Sequence, residues 1–373
     1  MVHYVLPPVK PTERFERRCW HCQYMGGQIH SGQHHRPIRD IRLSQIPIRR
    51  MYCPACGTTW TVRPGGVGPG RQRTDRLRGL GVMFYMLGLS YRAVEAITAS
   101  LECGVGKSTV ERDVAEAGQK AEELHQAGAR LKIKLVSVDG TGAAMAGQNR
   151  GMLFCVDPVG GRLLRVVYAS EEDLAAVRKH IREVMASCGA QVLRTDEHSV
   201  YQKAAEQLGI PRHELCAAHW LKSKQCRVRQ LREQACASGR TPDLVGLDEL
   251  REILRHRPRS HDPPEELMRL VRRYIGCRAP KRGGPASLPY RIKQLLLHVE
   301  RTWSRVSRAP DPTNNTTERL IGLCYKIRAK TMRGFKSPTK ARQHPYLSSF
   351  LRAFTPGPQS DGQEGLCRLA EVL

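Results

Sequence analysis

The sequence predicts a mixed α/β core that follows a small metal-stapled module and a bundle of short helices. Three observations predict it. Apolar runs of strand period alternate with helical ones between residues 131 and 219, two CxxC motifs sit near the start, and helical patterning fills residues 220–317.

Composition narrows the partner. The chain has 373 residues, with 61 Lys and Arg against 35 Asp and Glu and a net charge of +26. Arg outnumbers Lys 46 to 15, and a guanidinium grips phosphate through two parallel bonds, so a polyanion is the first inference. The charge lies in blocks. Residues 1–76 carry 13 basic and 4 acidic groups, 77–219 are balanced at 17 against 17, 220–317 hold 21 against 10, and 319–352 hold nine basic groups and no acid. A protein that is merely cationic does not need that segregation. MVHYVLPPVKP has no apolar stretch of signal-peptide length, and no run approaches the ~18 apolar residues of a membrane span, so a cytoplasmic location and no membrane partner are expected. Thirteen cysteines, an odd count, point to metal ligands and free thiols rather than a disulfide framework.

Residues 1–72 form the first module. Cys19-Trp-His-Cys22 and Cys53-Pro-Ala-Cys56 are two knuckles 30 residues apart. Four thiolates so arranged can close a tetrahedral site for one structural Zn²⁺, and Gly57 suits the tight turn after the second knuckle. His21, His30, His34 and His35 in the same stretch could substitute as ligands, although such histidines are more often solvated. The segment between the knuckles is basic and poor in apolar residues, so it needs the metal to fold. Thiol–disulfide chemistry is disfavoured by two CxxC copies without a βαβ context. RPGGVGPGR, residues 63–71, reads as a flexible linker.

Residues 73–130 read as a helix-turn-helix domain. Leu77, Leu80, Phe84 and Leu87 fall at helical spacing before Gly88, and Ser90 caps a second helix with Val94, Ile97 and Leu101 inside. After the turn Glu102–Gly106, Ser108-Thr-Val-Glu111 is a capping box for a third helix. The N-terminal turn of that helix would enter the major groove, turning Lys107, Ser108, Thr109 and Arg112 to DNA. GVGKST is not a nucleotide loop, because GxxxxGK[ST] would need Gly where Leu101 stands.

Residues 131–219 carry the first half of the candidate catalytic core. LKIKLVSVDGTG, residues 131–142, alternates like a half-buried strand and is expected to turn away at Asp139-Gly140. Further strands are predicted at 151–156 and 162–169, a helix over 171–187, a strand over 191–195 ending at Asp196, a helix over 199–208 and a strand near 214–218. The order βββαβαβ, with a helix to close it, is that of the RNase H-like fold, whose first and fourth strands are neighbours. Asp139 and Asp196 would then meet. Glu318, opening a helix after an all-helical insertion over 220–300, would join them as the core closes over 301–352. Three carboxylates suit two Mg²⁺ or Mn²⁺ ions about 3.5–4 Å apart, which clamp the attacking and leaving oxygens of a phosphodiester. Ile321, Tyr325 and Arg328 or Ala329 continue the Glu318 helix, and Lys326, Arg328, Lys330, Arg333 and Lys336 would grip phosphates nearby. Residues 353–373 read as a loose tail.

Four motifs stand in order: VDGTG at Asp139, RTDEHSVY at Asp196, LCAAHW spanning Cys216 and His219, and TNNTTERL ahead of YKIRAKTMRGF. In this set the chain resembles DDE transposases of bacterial insertion sequences, particularly the Mutator-like group, over about residues 131–352. The resemblance implies metal-dependent cleavage at element ends and transfer of the 3′-OH into target DNA by Asp139, Asp196 and Glu318. It also implies that residues 1–130 bind double-stranded terminal repeats, that the protein assembles as a homo-oligomer on DNA, and that it works at the bacterial nucleoid. Cys216 and His219, a C-x-x-H pair after the second aspartate, are expected to support the core, since two ligands do not make a structural zinc site. The rival expectation is a DNA-binding regulator that keeps the scaffold without the chemistry.

Overall fold

A computed structural model describes residues 2–9, 18–27, 29–128, 132–145, 148–280, 284–308, 315–332, 335–353 and 365–368. The chain divides into two compact units, Met1–His125 with Cys324–Leu373, and Gln126–Leu323. Together they are mixed α/β.

The first unit opens with β1 (Val2–Val5), then an antiparallel sheet of β2 (Ile29–Pro37), β3 (Gln45–Tyr52) and β4 (Thr59–Val62), with β3 central. β3 alternates, burying Ile46 and Ile48 against Ile38 and Val67. Val67 belongs to the stretch expected as a flexible linker, which is built into the module instead. A Cβ on Gly66 (φ +84) would lie 2.5 Å from the Pro8 carbonyl oxygen. Arg39 N donates to Gln72 O at 2.9 Å and Asp75 N to Gly66 O at 2.8 Å. Composition describes an isolated segment; here neighbouring backbone takes up its polar groups.

Three helices follow, α1 (Asp75–Met86), α2 (Tyr91–Ser100) and α3 (Lys107–Gly128). Thr74 caps α1 by accepting from Leu77 N, Gly88 (φ +113) ends it, and Ser90 caps α2 by accepting from Ala93 N. α3 departs from expectation in two ways. It is 22 residues long, and it starts ahead of the capping box, with Gly106 O accepting from Thr109 N and Val110 N. Glu111, the residue meant to close the box, pairs with Lys340 instead.

The second unit is built on a five-stranded sheet of β5 (Leu135–Met145), β6 (Gln148–Asp157), β7 (Arg162–Val167), β8 (Val192–Thr195) and β9 (Arg212–Leu215). Its order is β7-β6-β5-β8-β9. β5, β6 and β7 form an antiparallel meander, and β5, β8 and β9 run parallel. The crossovers are α4 (Leu174–Cys188) and α5 (Ser199–Gln207). Val177, Ile181 and Val184 of α4 and Tyr201 and Ala204 of α5 bury the sheet residues Val136, Val138, Leu153 and Leu193. β5 does not turn at Asp139-Gly140. It runs on to Met145 as one arm of a hairpin, because β6 supplies partners as far as Gln148. Its pairing with β8 stops at Ser137, so on that side Asp139 still lies at a lip.

The stretch expected as a strand near 214–218 is shorter, because Cys216 already caps α6 (Ala217–Ala237). Then come α7 (Thr241–Ile253), α8 (Glu265–Tyr274) and α9 (Leu288–Trp303). These helices bury Trp220, Leu231, Leu250, Leu270, Leu296 and Trp303 in a core of their own. The insertion is tied to the sheet where Leu215 N donates to Arg305 O at 2.8 Å and Ser307 N to Leu215 O at 3.0 Å.

α10 (Asn315–Ile321) packs on β5 and β6. The expected single closing helix is broken after it by a π-helical turn, Gly322–Lys326, before α11 (Ile327–Thr331) and α12 (Pro338–Ala353). The tail holds β10 (Gly365–Arg368), parallel to β1. Among the described residues no helix is long and apolar enough to cross a membrane.

Candidate active site and metal centre

The four cysteines converge. Cys19 Sγ lies 3.9 Å from Cys56 Sγ and Cys22 Sγ 3.7 Å from Cys53 Sγ, and all four thiol sulfurs fall within 4.8 Å of one another. Each knuckle is closed by its own backbone: Gln23 N donates to Cys19 O and Gly57 N to Cys53 O, both at 2.9 Å. The residue after each CxxC takes the left-handed conformation, Gly57 at φ +73 and Gln23 at φ +61. A Gln there leaves no trace in composition, so only the second knuckle is legible as a turn. Four sulfurs so gathered could hold a structural ion such as zinc.

At the second unit's sheet, Asp139 and Asp196 are neighbours although 57 residues apart in sequence, because β5 and β8 are adjacent and parallel. Asp139 Oδ1 accepts from Gly140 N and Asp196 Oδ1 from His198 N, each at 2.9 Å. Burial and the charges of Asp196 and Glu171 push the Asp139 carboxyl up to about 7, against the pull of His219.

Glu318, on α10, reaches the group through His219. Its Oε1 lies 3.1 Å from His219 Nε2, while His219 Nδ1 lies 3.3 Å from Cys216 Sγ. The bond to Cys216 and the charges of Cys216, Glu318 and Asp139 raise the imidazole to about 9, so it is a cation at neutral pH. Cys216 is fully buried at the start of α6, and its N donates to Thr195 O at 2.8 Å, next to Asp196. The C-x-x-H pair thus bridges the ends of β8 and α10.

Glu171 belongs to the same group and was not among the expected site residues. The predicted helix began at Glu171, but α4 begins at Leu174 with Asp173 as its cap, leaving Glu171 in a loop over the sheet. A Cβ on Gly140 would sit 2.1 Å from the Glu171 carboxyl carbon, and one on Gly151 2.5 Å from Ala169 O. The glycines of VDGTG and of β6 are the signal that could have found it. Tyr201 donates to Glu171 Oε1 at 2.6 Å.

Hard oxygens in like-charge excess, relieved by one imidazolium, are a donor set that fits a divalent cation such as Mg²⁺. Among the described residues, only the cysteines form a group with every ligand atom within 4.8 Å; the carboxylates are grouped more loosely.

The expected DNA contacts separate. Lys107, Ser108 and Arg112 are exposed and Thr109 half-buried on the first turns of α3. Of these, Thr109 and Arg112 line a cleft of about 600 Å³ that Arg39, Arg71 and Arg73 also line. Lys326, Lys330 and Lys336 are exposed, whereas Arg333 lies outside the described residues. Arg328 is buried: its guanidinium donates to Gly88 O and, at 2.8 Å, to Leu89 O, and stacks 4.3 Å from the Tyr85 ring centre. It ties α11 to the end of α1 and has no face left for phosphate. Compared with models of known protein families and with curated proteins, the chain matches none.

Proposed function

We propose that the chain is a DDE-type transposase. The observation that carries this reading is the meeting of Asp139 and Asp196 just beyond the last paired residues of the parallel strands β5 and β8, with Glu318 joined to them through His219. The strand order, a meander whose first strand lies beside the fourth, supports an RNase H-like core. Asp139, Asp196 and Glu318 would hold two Mg²⁺ or Mn²⁺ ions, which when bound activate the attacking oxygen and stabilise the departing one.

The protein's own groups hold the reactants. His219 orients Glu318 and offsets the negative charge around Asp139, and Tyr201 fixes Glu171 beside them. In the first reaction water attacks an end phosphate, the P–O3′ bond breaks and a 3′-OH departs. In the second, that 3′-OH attacks a target phosphate and displaces the target's own 3′-oxygen. α1–α3 supply a helix-turn-helix for duplex ends, and the zinc-stapled sheet braces it through residues 66–75.

The rival, a DNA-binding regulator without chemistry, draws on the carboxylates standing apart with Glu318 held by His219. The test is a joining assay with purified protein, Mg²⁺, a DNA fragment bearing the element's own inverted ends, and a plasmid target. Joined product supports the enzyme; specific binding of the ends with no nicked or joined strand supports the regulator.

A further inference from the structure

Resting on that reading of the carboxylate centre, we propose that the outer face of α6 is a phosphate track for the DNA duplex leading away from the site. α6 starts at the site, since Cys216 is its cap and His219 in its first turn holds Glu318. Beyond them, Lys222, Arg227 and Arg229 are exposed. Two clefts flank this face. One, of about 740 Å³, lies against α7 and is lined by Lys222, Arg229 and Arg251; the other, of about 660 Å³, lies against α9 and is lined by Arg227, Arg291 and Arg301.

Among the described residues no carboxylate pairs with these six cations. Glu252 borders the first cleft and bonds Arg255, Asp248 takes Arg232 from the same wall, and among the described residues no acidic one lines the second cleft. The helix's inward lysine behaves differently: Lys224 is buried and donates to both oxygens of Glu197. Lys224 serves the fold in a carboxylate pair, whereas Lys222, Arg229 and Arg251 have no carboxylate partner among the described residues.

Spacing selects the partner. At 1.5 Å per residue, Lys222 lies ~5 Å and Arg229 ~15 Å along the axis from His219. A duplex strand advances ~3.4 Å per nucleotide, so the track spans roughly four nucleotides beyond the reacting phosphate. The clefts are open and cationic, unlike the concave apolar pockets that take small molecules. A polyanion of regular spacing fits them, and the neighbouring site supplies its register.

The experiment measures binding of a duplex of about 30 base pairs by fluorescence anisotropy without divalent ions, across a salt series. Lys222→Glu, Arg229→Glu and Arg251→Glu combined should weaken binding at least ~10-fold and flatten the slope of log K against log salt by about 2–3. The same reversal at Arg182, exposed on α4, should change neither, and the Mn²⁺-induced thermal shift of the triple variant should match the parent's. Trimming the duplex flush with the cleavage position should abolish the difference between parent and variant. A folded triple variant with parental affinity and slope overturns the track while leaving the catalytic reading intact. A parent that binds no duplex at all overturns both.

Discussion

His219 Nε2 stands 3.1 Å from Glu318 Oε1, and the other ring nitrogen faces the Cys216 thiol. This bridge keeps the helical carboxylate at the sheet where the two aspartates meet. Because the folded-state pKa is raised, to about 9, the stabilisation it brings is complete below the ordinary pKa of ~6.5 and is lost as pH climbs through 9. In metal-free protein the parent should therefore lose melting temperature between pH 6.5 and 9 relative to His219→Gln. Cys216→Ala should bring the imidazole titration down by a unit or more, read by NMR. An unchanged titration would mean that Cys216 does not hold the ring.

Asp139 has the opposite sign. Its carboxyl is pushed up to about 7 by burial and by Asp196 and Glu171, so ionising it costs stability, progressively from pH ~4 and fully above 7. Asp139→Asn should raise the melting temperature of metal-free protein by a few degrees at pH 8 and change little at pH 4. Mn²⁺ should stabilise the parent and not this variant. A variant that melts lower than the parent at pH 8 would contradict the electrostatic account.

Much of this arrangement was legible in the sequence. The predicted order βββαβαβ implied that the first and fourth strands, which carry Asp139 and lead to Asp196, are neighbours, and the sheet order has them side by side. Glu171 was not legible, because a helix start and a loop residue before a cap look alike until Asp173 is seen to accept from Ala176 N. The role of Arg328 was hidden for another reason. In a run of basic residues nothing local distinguishes the one that turns inward onto Tyr85 and the Gly88 carbonyl. Nor did the composition of residues 63–71 show that Val67 would join a core with Ile46.

That inward turn separates two arginine-like roles. Arg328→Ala should destabilise the protein by about 2–3 kcal/mol, since the Gly88 and Leu89 carbonyls lose a charged donor and the Tyr85 ring loses its cation. Lys336→Ala, at an exposed position, should leave the melt unchanged and weaken every DNA sequence by the same factor. Thermal melts and binding titrations on both variants check this, and a stable Arg328→Ala that binds DNA poorly would reverse the assignment.

The sulfur group makes a separate claim. Freshly purified protein should carry about one zinc per chain by metal analysis, and Cys19→Ser should lose both the metal and specific end binding. Correctly folded protein without zinc would refute it.

The central claim is that Glu318 acts as a carboxylate and not as a helix cap. In sequence, Asn315-Thr-Thr-Glu318 is close to a capping box, a role that Gln fills nearly as well, although α10 already begins at Asn315. Gln cannot supply the negative charge that a hard divalent ion requires. The decisive measurement is strand cleavage at element ends in Mg²⁺ by Glu318→Gln, with melting and end binding recorded on the same preparation. Cleavage should fall at least ~1,000-fold while the protein melts within a few degrees of the parent and binds ends as tightly. Near-parental cleavage by this variant would contradict the account.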